Sequence, residues 1–265
     1  MSIKALFPPS IIRLVNAIRN KEEYGWYGNY QTWEAALNAS TGYDSATILN
    51  KVKDALLKVK NNEAAFERDS VLFYDIEYAW PILSSLLWVA AQRQGKLNVL
   101  DFGGSLGSTF FQHKKFLNAL DVKWNIVEQE NFVTAGKKHF EDSRLHFYLT
   151  PKECLDENQI DVVLLSSVLP YIKEPYKMLQ EIIELNIPFM IFDKMPFLEQ
   201  GTNDLLTVQK VHPSIYEGSY PAWFFNEGRF LSFIEKKYEV VETFSGSDKA
   251  NIPSVFKGIL TQRRK

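Results

Sequence analysis

NVLDFGGSLGS, residues 98–108, reads as an apolar strand that enters a glycine-rich turn and leaves it as a helix. Glycine adopts positive φ without strain and lets a ligand approach the backbone closely. In an open α/β sheet, ligands bind in the crevice outside the carboxyl ends of the strands. We therefore expect this turn to form one side of a ligand site.

Outward from this turn, short apolar runs alternate with helix-sized segments. Strands are predicted at residues 98–102, 124–128, 145–148, 161–166, 189–193, 238–244 and 255–262. Helices are predicted between the first five strands at 106–120, 131–141 and 174–185, and before the last two near 227–236. Strand alternating with helix indicates a mostly parallel, Rossmann-like sheet with helices on both faces. We therefore expect an α/β fold with seven strands.

Two segments do not follow this alternation. Residues 1–95 are predicted to form an N-terminal helical extension or cap, and residues 96–265 the α/β core. Within the core, residues 194–226 contain three prolines and no regular helical pattern. A connection of this length in a compact domain is typical of a lid or a binding loop.

The N-terminal extension contains three candidate helices. Apolar residues within 11–18 share one helical side, and we expect that helix to dock on the body of the protein rather than on a membrane surface. Residues 44–60 repeat apolar side chains at helical spacing, and residues 70–93 read as one helix or two. Asp69 or Ser70 is placed to cap a helix that begins near Val71.

Composition excludes several classes of protein. The 265 residues carry 30 Lys+Arg and 32 Asp+Glu, and a net charge of −2 argues against a general nucleic-acid binder. The single cysteine, Cys154, excludes an internal disulfide, and the cysteine and histidine spacings predict no metal site. No apolar segment reaches the roughly 20 residues of a transmembrane helix, and the N-terminus does not read as a signal peptide. A cytoplasmic location follows by default.

An acidic residue accompanies the glycine turn. Glu128 ends the next strand, where its carboxylate can accept two hydrogen bonds from a ribose diol. A dinucleotide fingerprint requires G-x-G-x-x-G, but counted from Gly103 the second and third positions are Ser105 and Ser108. Asp101 instead fits the E/D-x-G-x-G-x-G loop of S-adenosylmethionine (SAM)-dependent methyltransferases, with Ser105 at the middle glycine. The spacing favours SAM, while a dinucleotide and a turn without a ligand stay open.

The predicted cofactor site extends to the end of the fourth strand. Ser166 and Ser167 stand there, either as a polar strand end or as contacts to the methionine part of SAM or to the acceptor. The candidate cofactor residues are Asp101, Gly103, Gly104, Ser105, Gly107, Glu128, Gln129, Ser166 and Ser167.

In several motifs the chain resembles a family of methyltransferases often encoded near genes for lipopolysaccharide or other surface polysaccharides. The motifs that carry the resemblance are Gly28-Asn29-Tyr30 with Trp33, Gly42-Tyr43-Asp44, Glu67-Arg68-Asp69-Ser70, Leu100 to Gly107, Val127-Glu128-Gln129, Leu164 to Leu169 and Ser219 to Trp223. The resemblance implies a class I SAM-methyltransferase fold. One departure is Lys194-Met195, where the resemblance predicts Arg and Thr.

Two windows of ten residues are rich in aromatic side chains. Residues 24–33 and 216–225 contain five aromatic residues each. Such rings stack on sugars, but they also build small hydrophobic cores, and the inner wall of a cap is also a pocket wall. Arg68 could bind a substrate carboxylate or phosphate, or pair with a neighbouring acid. The candidate substrate residues are Tyr30, Trp33, Arg68, Tyr171, Tyr216, Tyr220 and Trp223.

These features together predict a SAM-dependent methyltransferase that methylates an oxygen of a sugar or sugar-linked intermediate in surface polysaccharide synthesis. His212, next to the second aromatic window, is the candidate catalytic base. The alternatives are a methyltransferase-like module that binds a glycan or a protein without turnover, and a nicotinamide-dependent oxidoreductase. The sequence names neither the acceptor nor an oligomeric state.

Overall fold

The computed structural model describes residues 24–42, 45–212, 215 and 217–264. The predicted helix within 11–18 lies outside these residues. In chain order the strands are β1 Gly25–Tyr27, β2 Phe66–Arg68, β3 Val71–Phe73, β4 Lys96–Phe102, β5 Asp121–Val127, β6 Leu145–Tyr148, β7 Val162–Ser166, β8 Phe189–Leu198, β9 Leu205–Lys210, β10 Ser219–Phe224, β11 Tyr238–Ser245 and β12 Ser254–Arg263. The helices are α1 Trp33–Asn38, α2 Ser45–Lys60, α3 Trp80–Gln92, α4 Ser108–Leu117, α5 Glu130–His139, α6 Pro151–Glu157, α7 Pro175–Glu184 and α8 Glu227–Ile234.

The predicted seven-stranded sheet is confirmed. Its order is β11-β12-β8-β7-β4-β5-β6. Strands β4 to β8 pair in parallel, whereas β12 is antiparallel to both β8 and β11. This is the class I SAM-methyltransferase topology. The chain proceeds from β4 to one side of the sheet and from β7 to the other, so the crevice for ligands lies beyond the carboxyl ends of these two strands.

Helices cover both faces of the sheet because its strands are apolar on both sides. In β7, Leu164 belongs to one buried cluster, and Val163 and Leu165 belong to the other, since successive strand residues point to opposite faces. Helices α2 to α5 pack on the first face, and α6 to α8 on the second.

The first buried cluster crosses the predicted domain boundary at residue 95. Leu56 of α2 and Leu86 of α3 pack in the same cluster as Val99 of β4. These two helices are therefore layers of the core, although they precede its first strand. No helix in the described ranges combines the length and the hydropathy needed to cross a bilayer.

A second, three-stranded sheet stands over the core and has the order β1-β9-β10. Strand β1 comes from the N-terminal region, and it pairs antiparallel with β9, which belongs to the predicted lid 194–226. Helix α1 packs on this sheet through Ala36, which shares a cluster with Leu206 and Val208. We call β1, α1, β9 and β10 the cap.

The predicted helix 70–93 is wrong in its first ten residues. Residues 66–73 form the hairpin β2–β3, and the helix begins only at Trp80, with Pro81 in its first turn. Asp69 and Ser70 have φ of 52° and 67°, which closes a two-residue turn of the type that hairpins favour. They are therefore turn residues and do not cap a helix.

A core substitution tests the assignment of the central strand. Leu164→Ala removes a side chain that is 0% exposed, and we expect the free energy of unfolding to fall by about 2–5 kcal/mol. The matched control is Leu37→Ala, because Leu37 is 50% exposed and the change should cost less than about 1 kcal/mol. Urea unfolding followed by circular dichroism measures both, and equal losses would contradict the burial of β7.

Candidate functional site

The glycine turn after β4 packs so tightly that two of its residues have no room for a side chain. Gly103 has φ +71°, and a Cβ there would lie 2.6 Å from Cγ2 of Val168. A Cβ on Gly104 would lie 2.4 Å from the carboxyl carbon of Asp101. Both values are far below van der Waals contact, so these positions require glycine. The turn continues to Gly107, after which α4 begins.

Asp101 supports this turn from below and does not line a cavity. Its side chain is buried, and Nε1–H of Trp124 donates a hydrogen bond of 3.0 Å to its carboxylate. Burial raises the pKa of Asp101 to about 7 because a buried charge loses its hydration. The predicted cofactor residue Asp101 is thus a support of the turn rather than a surface that a ligand touches.

Glu128 faces the turn from the end of β5. Its carboxylate accepts a hydrogen bond of 2.8 Å from the backbone N–H of Gln129, and the nearby backbone N–H of Ser105 lowers its pKa. Burial nevertheless raises the pKa of Glu128. Ser105 has φ 55°, a left-handed conformation that glycine adopts without strain. The serine at the expected middle glycine therefore adopts the backbone conformation that a glycine would take there.

Two cavities meet beside Glu128. The first, which we call the capped cavity, has a volume of about 650 Å³ and lies between the sheet edge and the cap. The second, the apolar cavity, has about 630 Å³ and extends toward β6 and α7. Both volumes lie in the range of small-molecule sites. The walls that the two cavities share are Gly103, Glu128, Gln129, Ser167 and Tyr171.

The apolar side chains that line the apolar cavity were not predicted from the sequence. They include Leu149, which follows β6, Val168, which follows β7, and Met178 of α7. The only available signal was their position after predicted strands, because apolar side chains at a strand end resemble ordinary core residues. A planar, mostly apolar ligand fits between such walls.

Aromatic side chains form much of the capped cavity. Trp26, Trp33 and Phe256 line it together with Tyr171 and Tyr220. The rings of Tyr171 and Tyr220 lie edge to face at 5.3 Å, and the Tyr171 hydroxyl donates 2.8 Å to Oε1 of Gln209. These contacts fix the ring planes, which leaves a rigid apolar wall with polar edges.

Most of the predicted binding residues meet at these cavities. The predicted residues that line the capped cavity are Gly103, Glu128, Gln129, Ser166, Ser167, Trp33, Arg68, Tyr171 and Tyr220. Three further predicted residues, Gly104, Ser105 and Gly107, shape the turn beneath the ligand site without lining a cavity. Tyr216 lies outside the described residues.

Two predicted substrate residues belong instead to the interior of the cap. Trp223 stacks near Trp33, with ring centroids 6.5 Å apart, and its Nε1–H donates 3.1 Å to the carbonyl oxygen of Ile172. Tyr30 packs on the small cluster beneath the cap sheet. Both residues therefore pack within the cap, and neither lines the capped cavity.

His212 does not line the capped cavity. Its side chain is exposed, and its ring lies 4.5 Å from the ring of Tyr24, although Val211 before it is a wall residue. A base must reach the proton that it removes. The structure thus gives no geometric support for the catalytic assignment of His212.

Backbone strain is concentrated at the site. Eight non-glycine residues in the described ranges have positive φ. Five of the eight lie in or beside the capped cavity: Asp69, Ser70, Ser105, Ser167 and Lys194. Such conformations cost about 1–3 kcal/mol each and persist mainly at functional sites. Lys194 lies where the register of β8 and β12 shifts, and a bulge of this kind redirects a side chain.

A buried acid also lies behind the wall of the capped cavity. Ser166 lines the capped cavity, and its hydroxyl donates a hydrogen bond of 2.7 Å to Oδ2 of Asp193. Asp193 lies in the neighbouring strand β8, opposite Ser166. Burial raises the pKa of Asp193, while Ser166 and Lys194 oppose that shift. Within the described part of the chain, no group of three or more His, Cys, Asp or Glu side chains is arranged to hold a metal ion.

Comparisons with known proteins found similar solved structures at low sequence identity. No family model and no curated protein matches the chain. Among solved structures, 1,6-didemethyltoxoflavin-N1-methyltransferase from Burkholderia thailandensis, with bound S-adenosylhomocysteine (SAH), is 12% identical, covers 83% of this chain and 89% of its own, and has a TM-score of 0.44. SAM-bound CalS10, an amino pentose methyltransferase from Micromonospora echinaspora, is 9% identical, covers 71% of this chain and 92% of its own, and has a TM-score of 0.48. The [4+2]-cyclase SpnF is 11% identical, covers 91% of this chain and 98% of its own, and has a TM-score of 0.48. All three TM-scores lie below 0.5, so the function has to be argued from the site.

The buried carboxyl of Asp101 predicts a measurable pH dependence. Because its pKa rises from 3.8 in the unfolded chain to about 7, the folded state binds the proton more tightly, and the unfolding free energy falls as pH rises from about 4 to 7. Asp101→Asn keeps an acceptor for Trp124 but does not titrate. We expect wild type to lose a few kcal/mol more than this variant over that range.

Urea titrations at several pH values measure this difference, and the comparison cancels the other buried acids. Parallel pH profiles for wild type and Asp101→Asn would contradict the raised pKa of Asp101.

Proposed function

We propose that this protein is a SAM-dependent methyltransferase. One observation carries the proposal: the carboxylate of Glu128 faces the glycine turn where the capped cavity meets the apolar cavity. A nucleoside that spans both cavities would place its ribose diol at this carboxylate. No other described acidic side chain lines both cavities near the turn.

The two cavities differ in the way that the two ends of SAM differ. The apolar cavity, with Leu149, Val168 and Met178, suits the adenine ring. The capped cavity contains Arg68, Asp69 and further charged residues, and it suits the amino-acid end and the acceptor. When bound, SAM supplies an activated methyl group on a sulfonium centre, so positioning provides most of the rate enhancement.

The acceptor that this proposal favours is a hydroxyl of a sugar or sugar-linked intermediate. Trp26 and Tyr220 line the capped cavity, and side chains that combine an aromatic ring with a polar atom suit the binding of a sugar. The resemblance to methyltransferases of surface polysaccharide gene regions points to the same class of acceptor.

Ser166 and Asp193 form the proton acceptor in this proposal, in place of His212. A hydroxyl loses its proton as its oxygen is methylated. The Ser166 oxygen can take that proton while its own proton moves to the Asp193 carboxylate, 2.7 Å away. Burial raises the pKa of Asp193 above its ordinary value, and this makes the carboxylate a stronger base.

Cofactor binding is tested by titration calorimetry with SAM, SAH and NADH. We expect SAM and SAH to bind, NADH not to bind, and Glu128→Ala to weaken SAH by about tenfold or more through two lost charge-assisted hydrogen bonds. The matched control is Glu130→Ala, an exposed glutamate two residues further on that lies outside both cavities.

Binding of NADH alone would replace the proposal by a nicotinamide-dependent reaction. Equal SAH affinity in wild type and Glu128→Ala would remove the ribose assignment.

Acceptor class is tested with methyl-labelled SAM and a panel of monosaccharides, sugar phosphates and nucleotide sugars. We expect transfer of the label to a hydroxyl oxygen of at least one of them. Trp26→Ala should lower kcat/KM for that acceptor about tenfold and leave KM for SAM within about twofold, because Trp26 lines only the acceptor side.

The control for this experiment is Trp80→Ala, because Trp80 is exposed and outside the cavity walls. SAM binding with label transfer only to acceptors that are not sugars would contradict the sugar assignment and leave the cofactor assignment intact. SAM binding without any transfer would favour a module without turnover.

A further inference from the structure

We infer that the tip of the hairpin β2–β3 binds the amino-acid end of the cofactor, with Arg68 on the carboxylate and Asp69 on the ammonium group. This inference rests on the proposed function and deepens it. It moves Arg68 from the acceptor, where the sequence placed it, to the cofactor.

The hairpin tip lies at the wall of the capped cavity. Arg68 and Asp69 line the capped cavity together with Gly103 of the glycine turn. Glu67, the residue before them, is buried and accepts hydrogen bonds from the hydroxyl of Ser108, at the start of α4, and from the N–H of Ser70 at 2.9 Å. One carboxylate thus attaches the tip to the helix that follows the turn.

The direction in which a bound nucleoside would extend also leads to the hairpin tip. A nucleoside whose base lies in the apolar cavity and whose ribose meets Glu128 extends its 5′ substituent away from the apolar cavity, into the capped cavity. There the substituent meets the hairpin tip beside Gly103. The amino-acid end carries one negative and one positive group, and adjacent cationic and anionic side chains complement both.

The Arg68 guanidinium makes no close ion pair with a described carboxylate. Its nearest described carboxylate is that of Glu77, and the 3.9 Å between them exceeds hydrogen-bond distance. By contrast, Arg229 lies 2.8 Å from Asp204. The Arg68 guanidinium lies 5.8 and 5.9 Å from the rings of Phe66 and Phe73, which stack on each other. These contacts leave its N–H groups available to a carboxylate, which a guanidinium can bind through two parallel hydrogen bonds.

The turn at the hairpin tip has an unusual backbone conformation. Asp69 and Ser70 both have positive φ, a conformation that aspartate adopts more readily than serine, so Ser70 is the less usual of the two. The turn is held by the bond from Ser70 N–H to Glu67 and by its pairing between Arg68 and Val71. Strained conformations of this kind are typical of ligand clamps.

Lys194 is the competing cation in this part of the cavity. Its charge acts on two buried acids, because it lowers the pKa of both Glu67 and Asp193 against the larger effect of burial. Lys194 therefore compensates buried charge within the protein, whereas the nearest acid of Arg68 is an exposed glutamate at 3.9 Å.

The test compares three nucleosides by titration calorimetry. They are SAH, its decarboxylated analogue S-adenosyl-3-thiopropylamine, and 5′-methylthioadenosine, which lacks the whole amino-acid end. We expect wild type to bind SAH about tenfold or more tightly than the decarboxylated analogue. Arg68→Gln should reduce this ratio to within about threefold while the affinity for 5′-methylthioadenosine stays the same. Asp69→Asn should weaken both amine-bearing ligands and preserve their ratio.

Arg144→Gln is the matched control, because Arg144 also lies over a phenylalanine ring, that of Phe110 at 5.4 Å, but outside both cavities. Unchanged affinity for 5′-methylthioadenosine shows that a variant is folded. If Arg68→Gln does not fold, Arg68→Lys, which keeps the charge but loses the paired donors, should give an intermediate ratio.

Three results would overturn the inference and leave the proposed function standing. They are a wild-type ratio near one, a ratio that survives in the Arg68 variants, and a ratio that collapses in Lys194→Gln instead. Failure of all three nucleosides to bind wild type would contradict the proposed function itself, and with it this inference.

Discussion

The close packing of the glycine turn on the buried carboxyl of Asp101 determines where the groups of the candidate site lie. A side chain at Gly104 would collide with that carboxyl, and one at Gly103 would collide with Val168. With both positions free of a side chain, the turn folds down onto the sheet edge, and the backbone N–H of Ser105 comes near enough to Glu128 to lower its pKa. The apolar cavity, the capped cavity and the shared wall between them follow from this turn, because each includes Gly103 or Glu128.

The site is built at a cost to the stability of the fold. Burial raises the pKa values of Glu67, Asp101, Glu128 and Asp193, so each carboxylate is less favourable in the folded chain than in water. Hydrogen bonds from Ser108, Trp124, Gln129 and Ser166 offset part of this cost. The buried acids hold the hairpin, the turn and the strand ends at fixed distances. The positive φ values in the same region fit this trade of stability for position.

The sequence predicts the central sheet well, because apolar runs such as residues 162–165 are buried on both faces and their pattern depends little on distant contacts. It also predicts the glycine turn and Glu128, whose chemistry is local. It does not predict the start of α3, because the hairpin β2–β3 depends on two left-handed residues that a helical pattern conceals. Nor does it separate Trp223, which packs inside the cap, from Trp26, which lines the cavity. That distinction arises only when β1 pairs with β9.

The most direct test of the proposed cofactor site is a crystal structure of the protein with SAH. The proposed site predicts the ribose hydroxyls within hydrogen-bond distance of the Glu128 carboxylate and the adenine ring between Leu149, Val168 and Met178. It also predicts the sulfur atom at the opening to the capped cavity. Adenine bound among the aromatic residues of the cap, or a ribose without contact to Glu128, would contradict the assignment of the two cavities.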